Sequence, residues 1–311
     1  MSRARRPAIT LIGTGRLARA LGPLLVECGY SVVAVVGRRS SAARSVARSI
    51  PGASASISPQ RSVSRADLIL LAVPDREIEP LARRLARMKN LDWSKKVVLH
   101  HAGSLGLEVL RPLGEAGAAV GLLHPLQALG QPGVAREVLS GSRARIEGDA
   151  TATAAAERMA RDLGLVALSF PRSLDERGRR AYHAAASLAS NDLVALIALA
   201  ADVLETTGLD RDEAVDALVR LASGTLAQTT DGDLAGGLTG PVVRGDSKTV
   251  ADHLRVLEHK SASHAQIHRL LSARLLALAE DRGWRIPPAE RRRLLRCLSE
   301  AGGGRGGGPT V

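Results

Sequence analysis

The chain has 311 residues, 45% of them hydrophobic, enough for one large domain or two of ordinary size. Its two cysteines, Cys28 and Cys297, form no disulfide framework or zinc pattern and fit a reducing compartment. The formal net charge is +12, but aromatic residues make up only 2% of the chain, which excludes the stacking platforms of a single-strand nucleic-acid binder and leaves a solvated, arginine-rich surface.

The opening "MSRARRPAITLIG" has a basic lead but no apolar segment with a cleavage site behind it. The longest strongly apolar run, 193–201, falls far short of the roughly 20 residues of a bilayer span. Together these features predict a cytoplasmic protein without a membrane or nucleic-acid partner. From the N-terminus, short β-branched runs alternate with amphipathic helical stretches. Strands are expected at 8–13, 31–37, 67–73, 96–101 and 119–124, with fainter ones at 143–148 and 165–170. Such alternation implies an α/β, doubly wound parallel sheet of Rossmann type with both faces covered. Past "FPRSLDERG" no strand pattern follows, and the apolar residues keep a helical period to about residue 298. Helices are expected at 178–207, 210–228, 246–282 with a break near Ser261, and 287–299. The organisation read from this is a dinucleotide-binding domain over 1–172, an all-α domain over 173–300 and a disordered glycine-rich tail over 301–311.

The strongest motif follows the first strand. In "LIGTGRLARALG", Gly13, Gly15 and Ala18 fit G-x-G-x-x-A, with Thr14, Arg16 and Leu17 between them. The first glycine permits a tight strand-to-helix turn, the second lets backbone approach a pyrophosphate, and the alanine lets the helix pack on the sheet. A pyrophosphate then meets the free amides at the helix N-terminus. An NAD enzyme needs an acid near the end of the second strand for the ribose hydroxyls. This chain instead has Arg38, Arg39 and Ser40, groups suited to a 2′-phosphate, so the expected cofactor is NADP(H). Val73 and Pro74 close the third expected strand and His101 the next, where ligands of doubly wound sheets bind. His124 ends a further strand, where it either faces the substrate or caps the turn before Pro125. No metal site is expected.

Six segments, "GTGRLARALG", "AVPDREI", "HHAGSLGLEVL", "HPLQAL", "YHAAASLASND" and "LTGPVVRGDSKTVADHL", together resemble a bacterial Rossmann-like family whose C-terminal helical half is a domain of unknown function. More distantly the chain is similar to ketopantoate reductases, pyrroline-5-carboxylate reductases and β-hydroxyacid dehydrogenases. In the first and last of these, a catalytic lysine on the first long helix of the second domain is followed four residues later by asparagine. Here that spacing is filled by His183, Ser187 and Asn191, which drift only about 40° per step around a helix. The resemblance implies His183 as general acid, with Ser187 and Asn191 hydrogen-bonding the substrate or orienting the imidazole. The family's lysine is missing, and a histidine with the ordinary pKa of about 6.5 is a different acid. The helix is apolar nearly all round, so it is expected to be largely buried. Asp246 can N-cap a helix starting at Ser247, and Arg244 in the loop before it could fork onto a substrate carboxylate.

The function expected from these readings is NADPH-dependent reduction of a small oxo acid, 2-dehydropantoate first among them. The alternatives are an imine- or deazaflavin-linked oxidoreductase and an NADP-binding sensor without turnover. Long apolar helices point to a homodimer.

Overall fold

The structure is a computed structural model describing residues 6–129, 133, 135–229, 233–234 and 237–299. The expected tail at 301–311 lies outside the described residues. The chain divides into two compact units, Met1–Ser190 and Asn191–Val311.

The first unit holds eight strands: β1 (Ala8–Ile12), β2 (Ser31–Val36), β3 (Ser54–Ser56), β4 (Leu68–Leu71), β5 (Val97–His100), β6 (Ala119–Pro125), β7 (Arg143–Gly148) and β8 (Val166–Ala167). They form one sheet in the order β3-β2-β1-β4-β5-β6-β7-β8. Helices α1 (Arg16–Glu27), α2 (Ser40–Ala47), α3 (Pro59–Ser64), α4 (Asp75–Ala86), α5 (Arg111–Glu115), α6 (Ala135–Leu139), α7 (Ala150–Asp162) and α8 (Glu176–Ala189) accompany it. Every residue of β1 and β4 is buried. Their side chains alternate between two cores, Ile9, Leu11, Leu68 and Leu70 on one face and Ile12, Ile69 and Leu71 on the other. A strand covered on both faces has no polar side, which is why these stretches read as unbroken apolar runs.

The sheet is not parallel throughout. β7 runs antiparallel to β6, pairing Pro125 with Ala144 and His124 with Arg145. A parallel neighbour needs a crossover that carries the chain back to the start of the previous strand. The 126–142 connection instead re-enters beside the end of β6. β3, "SAS", carries no apolar pattern to announce it, and β8 is far shorter than the expected 165–170.

The break between units also falls later than the sequence reading placed it. Helix α8, read there as the start of the second domain, counts with the first unit. Arg179 pairs with Glu108 at 2.9 Å, and Tyr182 is hydrogen-bonded to His124, which ties α8 to the ends of the strands. Contrary to expectation, no residue of α8 is buried. Arg179 and Tyr182 anchor one side of it, while Leu188 remains two-thirds exposed. Within the helical stretch Glu176–Thr207 one window of 18 residues reaches a mean hydropathy of 1.6, long and apolar enough by length and composition alone to cross a membrane, a comparison the nine-residue run 193–201 concealed.

The second unit contains α9 (Asn191–Leu204), α10 (Arg211–Ala227), α11 (Pro241–Arg244), α12 (Ser247–Lys260), α13 (Ala262–Asp281) and α14 (Pro288–Ser299). Helices α12 and α13 part at Ser261, which leaves helical backbone (φ −172°, ψ 143°) and caps α13 by accepting from the Ser263 amide. Asp246 caps α12 as its sequence position suggested, accepting from the Thr249 amide at 3.0 Å. The core here is small: Val242, Val250, Leu254, Ala265, Leu276 and Leu294.

Candidate active site at the carboxyl ends of the strands

The turn from β1 to α1 sits where neighbouring connections leave the sheet in opposite directions, since β1 lies between β2 and β4. In doubly wound sheets this switch point opens a crevice for a ligand. Gly13 has φ +134°, and a Cβ there would come within 2.0 Å of the Ala72 carbonyl oxygen at the end of β4. The turn is thus pressed against its neighbour and accepts no side chain. Gly15 is the opposite case: a Cβ built on it meets nothing within 4 Å. It is the N-cap of α1, makes no side-chain cap hydrogen bond, and precedes a first turn without an acidic residue. Free amides facing an open space that a methyl group would begin to fill suit an anion. Ala18 is fully buried and seats the helix on the sheet. Thr14 and Leu17 are half-buried beside it, and Arg16 is exposed.

At the end of β2, Arg38, Arg39 and Ser40 are all exposed. Arg39 is the N-cap residue of α2, whose first residue, Ser40, takes a hydrogen bond from Arg44 at 2.7 Å. Neither Arg38 nor Arg39 has an ion-pair partner among the described residues, so both guanidinium groups are available to an added phosphate. Val73 is half-buried and Pro74 exposed at the start of α4.

Beyond β5 the chain forms a heavily braced loop. His100 is fully buried; its Nδ1 accepts from the Ala102 amide at 3.2 Å, so its Nε2 donates to the Gly106 carbonyl at 3.2 Å. Ser104 donates to Asp75 at 2.6 Å and joins this loop to the start of α4. His101 donates through Nδ1 to the Leu123 carbonyl at 2.6 Å, while its buried Nε2 has no partner. The keystone is Arg145 on β7, whose side chain is 0% exposed. Its Nε pairs with Glu147 at 2.8 Å, and Nη1 donates to the carbonyls of Gly103 at 3.0 Å and Leu105 at 3.2 Å. Its Nη2 is buried without a partner.

His124 lies across from Arg145. Its Nδ1 is 2.9 Å from the hydroxyl of Tyr182, and the two rings meet edge to face with centroids 5.5 Å apart. The guanidinium carbon of Arg145 stands 6.0 Å from the centre of the Tyr182 ring, a cation–π geometry. Burial first, helped at His100 and His124 by the neighbouring histidines and Arg145, pushes His100 down to about 3 and His101 and His124 down to about 4. Burial also drives the Tyr182 phenol up to about 12. Near neutral pH the rim therefore carries one buried cation, three neutral imidazoles and an intact phenol.

His183 follows Tyr182 on α8, exposed and without a hydrogen-bond partner among the described residues, and Ser187 is half-buried one turn on. Asn191 does not share an unbroken helix with them, because Ser190 leaves helical backbone (φ −124°, ψ −76°) and Asn191 starts α9 in the second unit. Arg244 is exposed at the end of α11, also in the second unit. The sequence reading gave no role to Arg145 or Tyr182. In "RARIEG", Arg145 and Glu147 share one face of a strand, and two opposite charges two residues apart on a buried strand were the available clue. Among the described residues no cluster of three or more metal-ligating side chains occurs.

The Rossmann-like domain family matches residues 2–125, and the domain of unknown function DUF2520 matches residues 142–275. No curated protein matches the sequence. Among solved structures, a Bacteroides fragilis protein whose name proposes an NADP oxidoreductase is similar at TM-score 0.69 and 22% identity, over 88% of this chain and 99% of its own. A pyrroline-5-carboxylate reductase of Coxiella burnetii is similar at TM-score 0.57 and 18% identity, over 94% and 98%. A reductive aminase of Aspergillus terreus in complex with NADPH is similar at TM-score 0.60 and 16% identity, over 92% and 98%. At such identities the likeness establishes the shared fold.

Proposed function

We propose that this chain, a Rossmann-like domain joined to a DUF2520 domain, is an NADP(H)-dependent oxidoreductase that reduces a small oxo acid, with 2-dehydropantoate the first substrate to try. The observation that carries the reading is the open space over Gly15 at the uncapped start of α1, with Arg38 and Arg39 unpaired at the end of β2. Residues 13–18 would hold the pyrophosphate, Arg38, Arg39 and Ser40 the 2′-phosphate, and Val73, Pro74 and His101 the ribose and nicotinamide side. NADPH bound there supplies a hydride. On the substrate side, His124 at the carboxyl end of β6 is the first candidate, with His183 and Ser187 on α8 as further candidates of the first unit; Asn191 and Arg244, in the second unit, are candidates on their sequence positions alone. The names of the similar structures support the cofactor class and also an imine as substrate, since pyrroline-5-carboxylate reductase and reductive aminase both occur among them.

The same proposal places the protein in the cytoplasm as a homodimer. Leu188, Val194 and Leu221 are each about two-thirds exposed, which suits a second copy of the chain covering these helices. Light scattering at micromolar concentration checks it, and a monomer would refute it. For the activity, NADPH fluorescence is titrated with protein, and 2-dehydropantoate or 1-pyrroline-5-carboxylate is then added. Binding of NADPH in preference to NADH, followed by its oxidation, is the expected result. Binding without turnover on any oxo or imino acid leaves an NADP sensor, and no binding refutes the reading.

A further inference from the structure

We propose that the hydroxyl of Tyr182, held by Nδ1 of His124, gives the proton to the substrate's carbonyl oxygen, which makes Tyr182 the catalytic acid and His124 its positioning residue. The inference rests on the reductase reading above and narrows its substrate class to a carbonyl.

The geometry places the hydroxyl 2.9 Å from His124 Nδ1 at the carboxyl end of β6, the side of the sheet on which a ligand binds. Both members are held in place. The imidazole of His124 packs on the loop after β5, where a Cβ on Gly103 would lie 2.7 Å from Nε2, and Arg145 fastens that loop through the Gly103 and Leu105 carbonyls. The Tyr182 ring is set edge-on against His124 and also against Phe170, with centroids 6.1 Å apart in the latter pair. His183, by contrast, has nothing among the described residues to orient it. A proton donor needs a fixed position within hydrogen-bond reach of the atom that receives the proton.

The electrostatics agree. Burial above all, with His101, His183 and Arg145 adding to it, opposes a positive charge on His124, so the acid held by His124 is a neutral group near neutral pH. A phenol is too weak an acid to protonate a resting carbonyl. It is strong enough for the alkoxide that develops as hydride arrives. In the step, the carbonyl carbon gains the hydride of NADPH with its electron pair, and the π pair moves to oxygen. That oxygen takes the Tyr182 proton, and the phenolate recovers a proton from water. Nδ1–H of His124 donates to the phenolate oxygen meanwhile, which requires the Nδ1-protonated tautomer and leaves the hydroxyl hydrogen free for the substrate. A protonated imine arrives with its own proton and needs no such donor, so the two substrate classes separate.

Two measurements test this. Nitrogen-15 spectra of histidine-labelled protein, compared with H124Q to find the His124 signals, report the tautomer without any substrate. Nδ1–H is expected, whereas an Nε2–H tautomer overturns the proposal because the hydroxyl hydrogen is then bound to His124. In steady state, Y182F should lose at least about 100-fold in kcat on 2-dehydropantoate, within the range for a general acid. The NADPH Kd should stay within twofold, and any turnover of 1-pyrroline-5-carboxylate should fall less than fivefold. H124Q should lower kcat on the oxo acid with little change in KM. Y182F that keeps its oxo-acid turnover, or loses both substrates equally, overturns the proposal while the reductase reading stands. Wild-type protein that reduces no oxo acid overturns the two together.

Discussion

The strand-built unit and the helical unit treat apolar side chains in opposite ways. In the first, whole strands disappear from solvent, because each sheet face has its own layer of helices and each face its own core. In the second, six residues form the main core, while Val194, Leu221, Leu226, Val256 and Leu270 are each more than half exposed. A sheet covered on both faces completes itself within one chain; helices with apolar residues on several sides do so only when another surface joins them. The polar groups divide as well. The first unit gathers its buried histidines and Arg145 at the ends of β5, β6 and β7. The second buries Arg269 and Ser272 between helices, with Arg269 paired to Glu258.

The largest test of that contrast is acid. His100 and His101 are held down to about 3 and about 4, far below the ordinary 6.5. The unfolded chain therefore binds protons that the folded one refuses. Their contribution to stability is complete above pH 6.5 and is lost progressively as pH falls below it, down to about 4 for His101 and about 3 for His100. Each histidine costs about 1.4 kcal/mol per pH unit inside that window. Urea melts between pH 7 and 4 should show the first unit giving way; a flat profile would mean these imidazoles meet water in solution.

Next in size is Arg145→Met. It strands Glu147 and the Gly103 and Leu105 carbonyls, and losing one partner of a buried pair costs about 3–5 kcal/mol. A variant that melts with the wild type would break the assignment of Arg145 as the brace of this rim. The two glycines of the first turn sharpen the distinction between folding and binding. Gly13→Ala should cost about 1–3 kcal/mol in backbone strain and also abolish NADPH binding. Gly15→Ala, into open space, should keep the wild-type Tm while weakening NADPH at least about tenfold. Smallest is the double change Arg38→Ser with Arg39→Ser. It should weaken NADPH about tenfold, roughly 1.4 kcal/mol, and leave NADH untouched, read by fluorescence titration.

Much of this was legible in the chain itself. The apolar runs of β1 and β4, the glycine turn, the Ser261 break and the Asp246 cap are all local features, fixed by side-chain size, backbone freedom or a short-range hydrogen bond. The site was legible only in part. The glycines and the arginines after β2 could be found because they follow a strand at a set distance. Tyr182 stood in a motif next to His183, but nothing in a helical period says which of two neighbours turns toward a sheet. The reversal of β7 was hidden because a strand's pattern of alternation is the same in either direction.

By itself the sequence determined a doubly wound sheet that begins with a glycine turn, followed by helices. Tertiary structure alone decided that Arg145 is buried, that His124 meets Tyr182 across 58 residues, and that α8 belongs with the strands. The physical reason is range. Propensity, capping and turn chemistry act over a few residues, whereas burial of a charge and the pairing of distant side chains depend on where the whole chain comes back to itself.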